Sequence, residues 1–184
     1  VLGLDGLAPG DALVLTKPLG TGVLLAADAR GLATGRWMEA ATASMLRDNA
    51  GAAALALEHG ASACTDVTGF GLIGHLHAMM EGSGTTADIK LSSVPVLDGA
   101  RELLLQGIVP GGTHRNFETV GKMVDWNEGL SEEDKLLLCD AQTSGGLLVA
   151  VPPERLHHLI EELETRETLG AIIGSVSDKS SNSI

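Results

Sequence analysis

The chain has 184 residues, enough for one domain with a full core or at most two small ones. It carries 12 basic against 24 acidic residues, a net charge of −12, which argues against a nucleic-acid binder, since that needs a basic face. Its longest apolar runs, such as 147–151, are too short to span a bilayer, so neither nucleic acid nor a membrane is an expected partner.

With two Trp, two Phe and no Tyr, the core is expected to be built from Leu, Val, Ile, Ala and Met. Cys64 and Cys139 lie far apart and form no CxxC pair. Neither a disulfide framework nor a thiolate zinc site is indicated, and no secretory signal pattern is visible, so a cytoplasmic location is expected.

Residues 11–16 read as a short buried strand after the Pro9-Gly10 turn. Gly20-Thr21-Gly22 then opens an apolar stretch, 23–29, expected as a short helix. From 37 to 59 the pattern is helical and rich in Ala. Asp48-Asn49 in its middle are N-cap residue types, so two consecutive helices are expected there. Residues 61–67 read as a strand, followed by Thr68-Gly69-Phe70-Gly71 and a helix from Leu72 to about Met80, closed by Gly82-Ser83-Gly84. Ala87, Ile89 and Leu91 alternate as in a half-buried strand. Residues 96–106 read as a helix, Pro110-Gly111-Gly112 as a loop, and Ser131-Glu132-Glu133 as the start of a short helix. A strand at 147–151 leads through Pro152-Pro153 into a helix with Leu156, Leu159, Ile160 and Leu163 on one face. Residues 171–176 read as a last strand and 178–184 as a polar tail. The irregular alternation points to one α+β domain over residues 1–177, with helices packed on a mixed sheet.

The most informative segment is 64–75. Asp66 falls near the end of a predicted strand, where an apolar residue would suit a core better. A carboxylate there, beside a glycine loop and a helix N-terminus, can hold Mg²⁺ against phosphate oxygens. Capping of the loop or helix accounts for Asp66 equally well. Gly69, Gly71 and Gly74 also spell the G-x-G-x-x-G dinucleotide fingerprint after a strand. That fingerprint wants an acidic residue at the end of the next strand, and Asp88 falls inside it. The strand before the glycines is also polar, so an NAD-type module stands as an alternative. The loop 140–146 either lines a ligand pocket or is a turn bonding its own backbone. Lys17, one residue before a proline, is expected as a solvated lysine at a strand end, with contact to a phosphate as the alternative. His75 and His77, two apart on a helix, make a poor metal pair. Cys64 reads as a small core residue. No Walker A motif is present.

The stretch Thr65-Asp66-Val67-Thr68-Gly69-Phe70-Gly71-Leu72-Ile73-Gly74-His75 resembles the signature of selenophosphate synthetases. Three further stretches agree in the family's order: 15–22, Pro110-Gly111-Gly112 with Arg115-Asn116, and 142–147. Ala141 stands where the family usually has proline, a change in loop stiffness. The resemblance implies the C-terminal half of a protein of the aminoimidazole ribonucleotide synthetase superfamily, with an N-terminal half elsewhere. It implies a cytoplasmic homodimeric enzyme that converts selenide, ATP and water to selenophosphate, AMP and phosphate, with Mg²⁺. The family's reactive Cys or selenocysteine, its catalytic lysine and most ATP-binding aspartates belong to the other half. No catalytic residue is therefore expected here. By the same resemblance Asp66 is the metal ligand, and Thr68, Gly69 and Gly71 contact the nucleotide. The fragment alone is expected to be inactive. A sibling kinase or synthetase with another substrate, or an idle paralogue used for assembly, are the remaining alternatives.

Overall fold

A computed structural model describes residues 2–178, so most of the predicted polar tail, 179–184, lies outside the described residues. Two apolar runs without polar alternation, β1 (Ala12–Leu15) and β4 (Leu147–Val151), are buried along their whole length. They form the centre of a five-stranded sheet with β2 (Ala63–Asp66), β3 (Thr85–Ile89) and β5 (Ala171–Asp178), in the order β2-β4-β1-β5-β3. Asp178, read from the sequence as tail, ends β5 and pairs with Thr85.

All four strand pairings are antiparallel, where a mixed sheet was expected. The reason is insertion: β1, β2 and β3 run the same way, but β4 and β5 lie between them in the opposite sense. Helix α4 (Gly71–Ser83) therefore leads from β2 at one edge to β3 at the other. A dinucleotide fold needs that helix to connect neighbouring parallel strands. The NAD-type alternative falls on this ground, and Asp88 is an exposed residue of the far edge strand.

Side chains alternate across the sheet. Leu13, Leu15, Leu148 and Ala150 face Leu72, Leu76 and Met79 of α4. Val14, Val149 and Val151 face Leu55 of α3 (Ala50–Glu58) and Leu159 and Leu163 of α8 (Pro153–Thr165). Each such buried aliphatic contributes about 1.5–3 kcal/mol, more than helix propensity does, so the covered sheet holds these short helices. A third cluster joins α1 (Thr21–Asp28), α2 (Gly35–Leu46), α5 (Ala100–Leu105) and α7 (Glu132–Leu138) around Val23, Leu24, Leu103 and Leu137.

The break between α2 and α3 falls at the predicted place: the Asp48 carboxylate accepts from the Ala50 N–H at 2.9 Å. Three expectations need correction. Leu91 opens a 3₁₀ turn (Leu91–Ser93) instead of extending β3. The helix predicted from 96 starts only at Ala100, because Gly99 is left-handed (φ +83°) with the Trp37 ring packed on its Cα. Pro110-Gly111-Gly112 is not a loop but the start of α6 (Gly111–Thr119). That helix buries Thr113 and Asn116, two polar residues, so it shows no apolar period.

Those buried residues belong to one network. Asp140, at the end of α7, is fully buried. Its carboxylate accepts from Thr113 Oγ1 (2.8 Å), Gln142 Nε2 (2.9 Å) and the Val23 N–H (3.3 Å). Gln142 Oε1 in turn accepts from the Gly20 N–H (3.1 Å) and Thr21 Oγ1 (3.0 Å). Every neighbour donates, which suits a carboxylate, but burial outweighs these bonds and pushes the Asp140 pKa up to about 6. Raised in the folded state, this group contributes stability below the unfolded carboxylate range that is lost as pH rises through about 6. Asp140→Asn, which keeps the shape, should therefore gain in melting temperature relative to wild type as pH rises from about 5 to about 8. A difference that stays flat with pH would show that Asp140 titrates like an ordinary aspartate.

Candidate functional site

Strand β2 loses burial along its length, from Ala63 inside to Asp66 exposed at its end. The Asp66 carboxylate has no hydrogen-bond or ion-pair partner among the described residues. Neither capping role is realised: the α4 N-cap position is Phe70, with no side-chain cap bond. Asp66 opens onto a groove of about 600 Å³ whose other walls include Leu2, Leu4, Leu57 and Leu147, so the groove supplies it with no cation.

The chain then turns through Thr68–Gly71 into α4, and the turn is held from three sides. The Thr68 N–H donates to His75 Nε2 at 3.0 Å, with Thr68 Oγ1 3.2 Å from the same nitrogen. A backbone N–H can only donate, so Nε2 is the acceptor and the ring is neutral with its proton on Nδ1. The Thr68 carbonyl accepts from the N–H groups of Gly71 (3.0 Å) and Gln142 (2.9 Å). The Gly69 carbonyl accepts from Asn116 Nδ2 at 2.9 Å. Gly71 is left-handed (φ +69°), and a Cβ there would lie 2.6 Å from the Cys139 carbonyl oxygen, so this position admits only glycine.

The predicted site residues thus lie together on one short segment, but with different duties. The N–H groups of Thr68 and Gly71 are engaged inside the protein, and Gly71 serves close packing. Gly69 and Phe70 are exposed residues, and their N–H groups have no partner among the described residues. Phe70, Asn116 and the His75 anchor were not singled out from the sequence as working residues. The Arg115-Asn116 pair was only one of the matched stretches. Lys17 is also corrected: it is buried, not solvated, and its Nζ donates to the carbonyls of Arg47 (2.6 Å) and Ser144 (2.9 Å). Burial first, then the Arg47 charge, lowers its pKa, against a smaller opposing effect of Asp48. The 140–146 loop bonds partly to itself, through Gln142 Nε2 and the Asp140 carbonyl, and partly to distant elements. Cys64 is a half-buried thiol that burial and Asp66 push up to about 11, which leaves it inert at neutral pH.

Among the described residues no three His, Cys, Asp or Glu side chains converge to enclose a metal ion. Asp66 suits the other arrangement, in which a hard cation takes one protein carboxylate and shares the rest of its oxygen ligands with a phosphate and water.

Residues 8–184 match the family described as AIR synthase related protein, C-terminal domain. The chain is similar to the selenide, water dikinase of Haemophilus influenzae (strain 86-028NP), 45% identical over 83% of this chain and 43% of that protein. It is similar to the same-named protein of Shewanella sp. (strain MR-4), 41% identical over 96% of this chain and 49% of that protein. The chain therefore spans less than half the length of these relatives. In fold it resembles the E. coli hydrogenase maturation protein HypE, with a TM-score of 0.69 at 18% identity over 97% of this chain and 47% of that one. It also resembles the thiamine-monophosphate kinase of Stenotrophomonas maltophilia K279a, with a TM-score of 0.66 at 19% identity over 96% and 50%.

His75 offers a direct check on the turn. Burial lowers its pKa, against a weaker opposing effect of Asp66. A depressed folded-state value means the ring's contribution to stability is full above about pH 6.5 and is lost as pH falls through the lower folded value. Histidine NMR should show Nδ1-protonated His75 with a pKa below the ordinary histidine value of about 6.5. A value for His75 at or above about 6.5 would contradict the Thr68–His75 bond.

Proposed function

This chain belongs to the AIR synthase related family, as its C-terminal domain, and on that footing we propose that it is the second half of a selenide, water dikinase. In this reading the parent protein makes selenophosphate from selenide, ATP and water, releasing AMP and phosphate. Residues 1–177 are the C-terminal synthetase-type domain, and the upstream half supplies the reactive Cys or Sec and the catalytic lysine. A homodimer, as the resemblance implies, completes the assembly in the cytoplasm. The substrate choice is supported by the identity to bacterial relatives of that name, which is far higher than to the kinases that share only the fold.

The observation that carries the site is Asp66: an exposed carboxylate with neither a cap duty nor a cation, next to a turn with free N–H groups. Asp66 would hold Mg²⁺ through a carboxylate oxygen, and Thr68, Gly69 and Gly71 form the nucleotide-contacting turn. Within it Gly69 and Phe70 present the donors, Thr68 anchors the turn to His75, and Gly71 seats it on Cys139. When bound, the metal neutralises charge on phosphate oxygens. The chain's own contribution is to bind and orient: outward N–H groups at the start of α4 favour an anion, helped by the positive end of the helix dipole. Neither Cys64, whose thiol is inert, nor Lys17, which is committed to two carbonyls, is placed to serve as the nucleophile in this reading.

In the full-length protein, Asp66→Asn should leave the melting temperature nearly unchanged and reduce selenophosphate formation at least about tenfold. Raised Mg²⁺ should restore part of it, because the amide keeps the shape and loses the charge a hard cation needs. Phosphorus NMR of the reaction mixture reads the product. Normal turnover in Asp66→Asn would remove Asp66 from the site. Selenophosphate made by the 184-residue chain alone would overturn its assignment as the half without the nucleophile.

A further inference from the structure

Helix α6 turns Asn116 inward, where it is 8% exposed. Its amide nitrogen donates to the Gly69 carbonyl at 2.9 Å and to the Cys139 carbonyl at 3.0 Å. An amide nitrogen has two hydrogens, so both are committed, and two acceptors fix which end of the side chain is nitrogen. One side chain thereby ties the glycine turn to the segment that ends α7.

The consequence follows from peptide geometry. In a planar trans peptide the carbonyl of one residue and the N–H of the next point in opposite directions. With the Gly69 carbonyl drawn inward by Asn116, the Phe70 N–H is aimed outward. With the Thr68 carbonyl drawn inward by the Gln142 N–H, the Gly69 N–H is aimed outward as well. The two free donors of the turn owe their direction to two carbonyls that are drawn inward, and of these only the Gly69 carbonyl is held by a side chain.

We propose that Asn116 is the positioning residue of this turn: by holding the Gly69 carbonyl inward it sets the Phe70 N–H toward the phosphate of a metal–nucleotide held at Asp66. The proposal rests on the reading of Asp66 and its turn as a metal–phosphate site. Asn116 touches no substrate itself and acts through the peptide between Gly69 and Phe70. Without its bond that peptide is free to rotate, and the N–H that meets the phosphate is then correct only part of the time.

Two variants test it. Asn116→Asp keeps the shape and replaces a donor with an acceptor facing two carbonyls, and Asn116→Ser removes the reach. In the full-length protein, at least one should raise the KM for Mg-ATP roughly fivefold or more, the worth of about one net hydrogen bond. The kcat at saturation should stay within about twofold. In the 184-residue chain, the Phe70 amide resonance should shift or broaden in the same variant while the β4 amides keep their protection from hydrogen exchange. An unchanged KM, or a raised KM that comes with a matching loss of kcat and of melting temperature, overturns the proposal. So does loss of the fold in both variants, which would make Asn116 a purely structural residue. If the wild-type full-length protein makes no selenophosphate, the functional reading fails. The amide measurement then still decides, and an unmoved Phe70 signal in both variants overturns the role of Asn116.

Discussion

The buried carboxylate of Asp140 is the constraint on which the arrangement around the site depends. It draws the start of α1, the first turn of α6 and the Gln142 side chain to one point that no water reaches. Removing any one donor would leave a buried acceptor short of a bond, at a cost of about 1–3 kcal/mol. The network is therefore all-or-none: each polar group inside it is tolerable only because the others are present. It also explains why a helix as polar as α6 is packed inside at all. Thr113 meets the carboxylate, and Asn116, one turn on, meets the turn that follows β2.

This rigid base contrasts with what faces outward. On the inner side of the turn, carbonyls and one N–H are consumed by His75, Asn116 and the 139–142 segment. On the outer side, two N–H groups, the Phe70 ring and the Asp66 carboxylate lie exposed. A half-site of this kind is preorganised without being complete. Such an arrangement suits a domain that presents ligands to chemistry carried on another part of its protein.

How much of this is legible in the sequence depends on what kind of signal each part leaves. Strand β4 and helix α8 are visible because continuous or periodic apolar residues match the surfaces they cover. Asp66 is visible because a charge at the end of a strand is out of place. The direction of the sheet is not visible, since alternating strands and helices suggest crossovers to neighbours, and only long-range pairing shows β4 and β5 inserted between β1, β2 and β3. Helix α6 leaves no apolar period because its inner face bonds carbonyls and a carboxylate. Lys17 looks solvated because nothing local shows that the Arg47 and Ser144 carbonyls close over it. Polar residues that serve distant partners are the ones a linear reading misplaces.

The register of the central strands carries a further consequence, for the order in which the domain is made. Ala12 pairs with Val151 on one side and Ser175 on the other. Within this domain, the first strand to emerge therefore pairs only with its last two strands, β4 and β5. Closing loops of that length is entropically expensive, and non-local sheets fold slowly for this reason. The α1–α2 pair and the α4 hairpin toward β3 can gather early, but the middle of the sheet stays open until β4 and β5 arrive. Until then β1 is an unpaired apolar strand in a nascent chain, the kind of segment that chaperones shield from aggregation. A stop anywhere before β5 would leave not a smaller domain but an unfinished one.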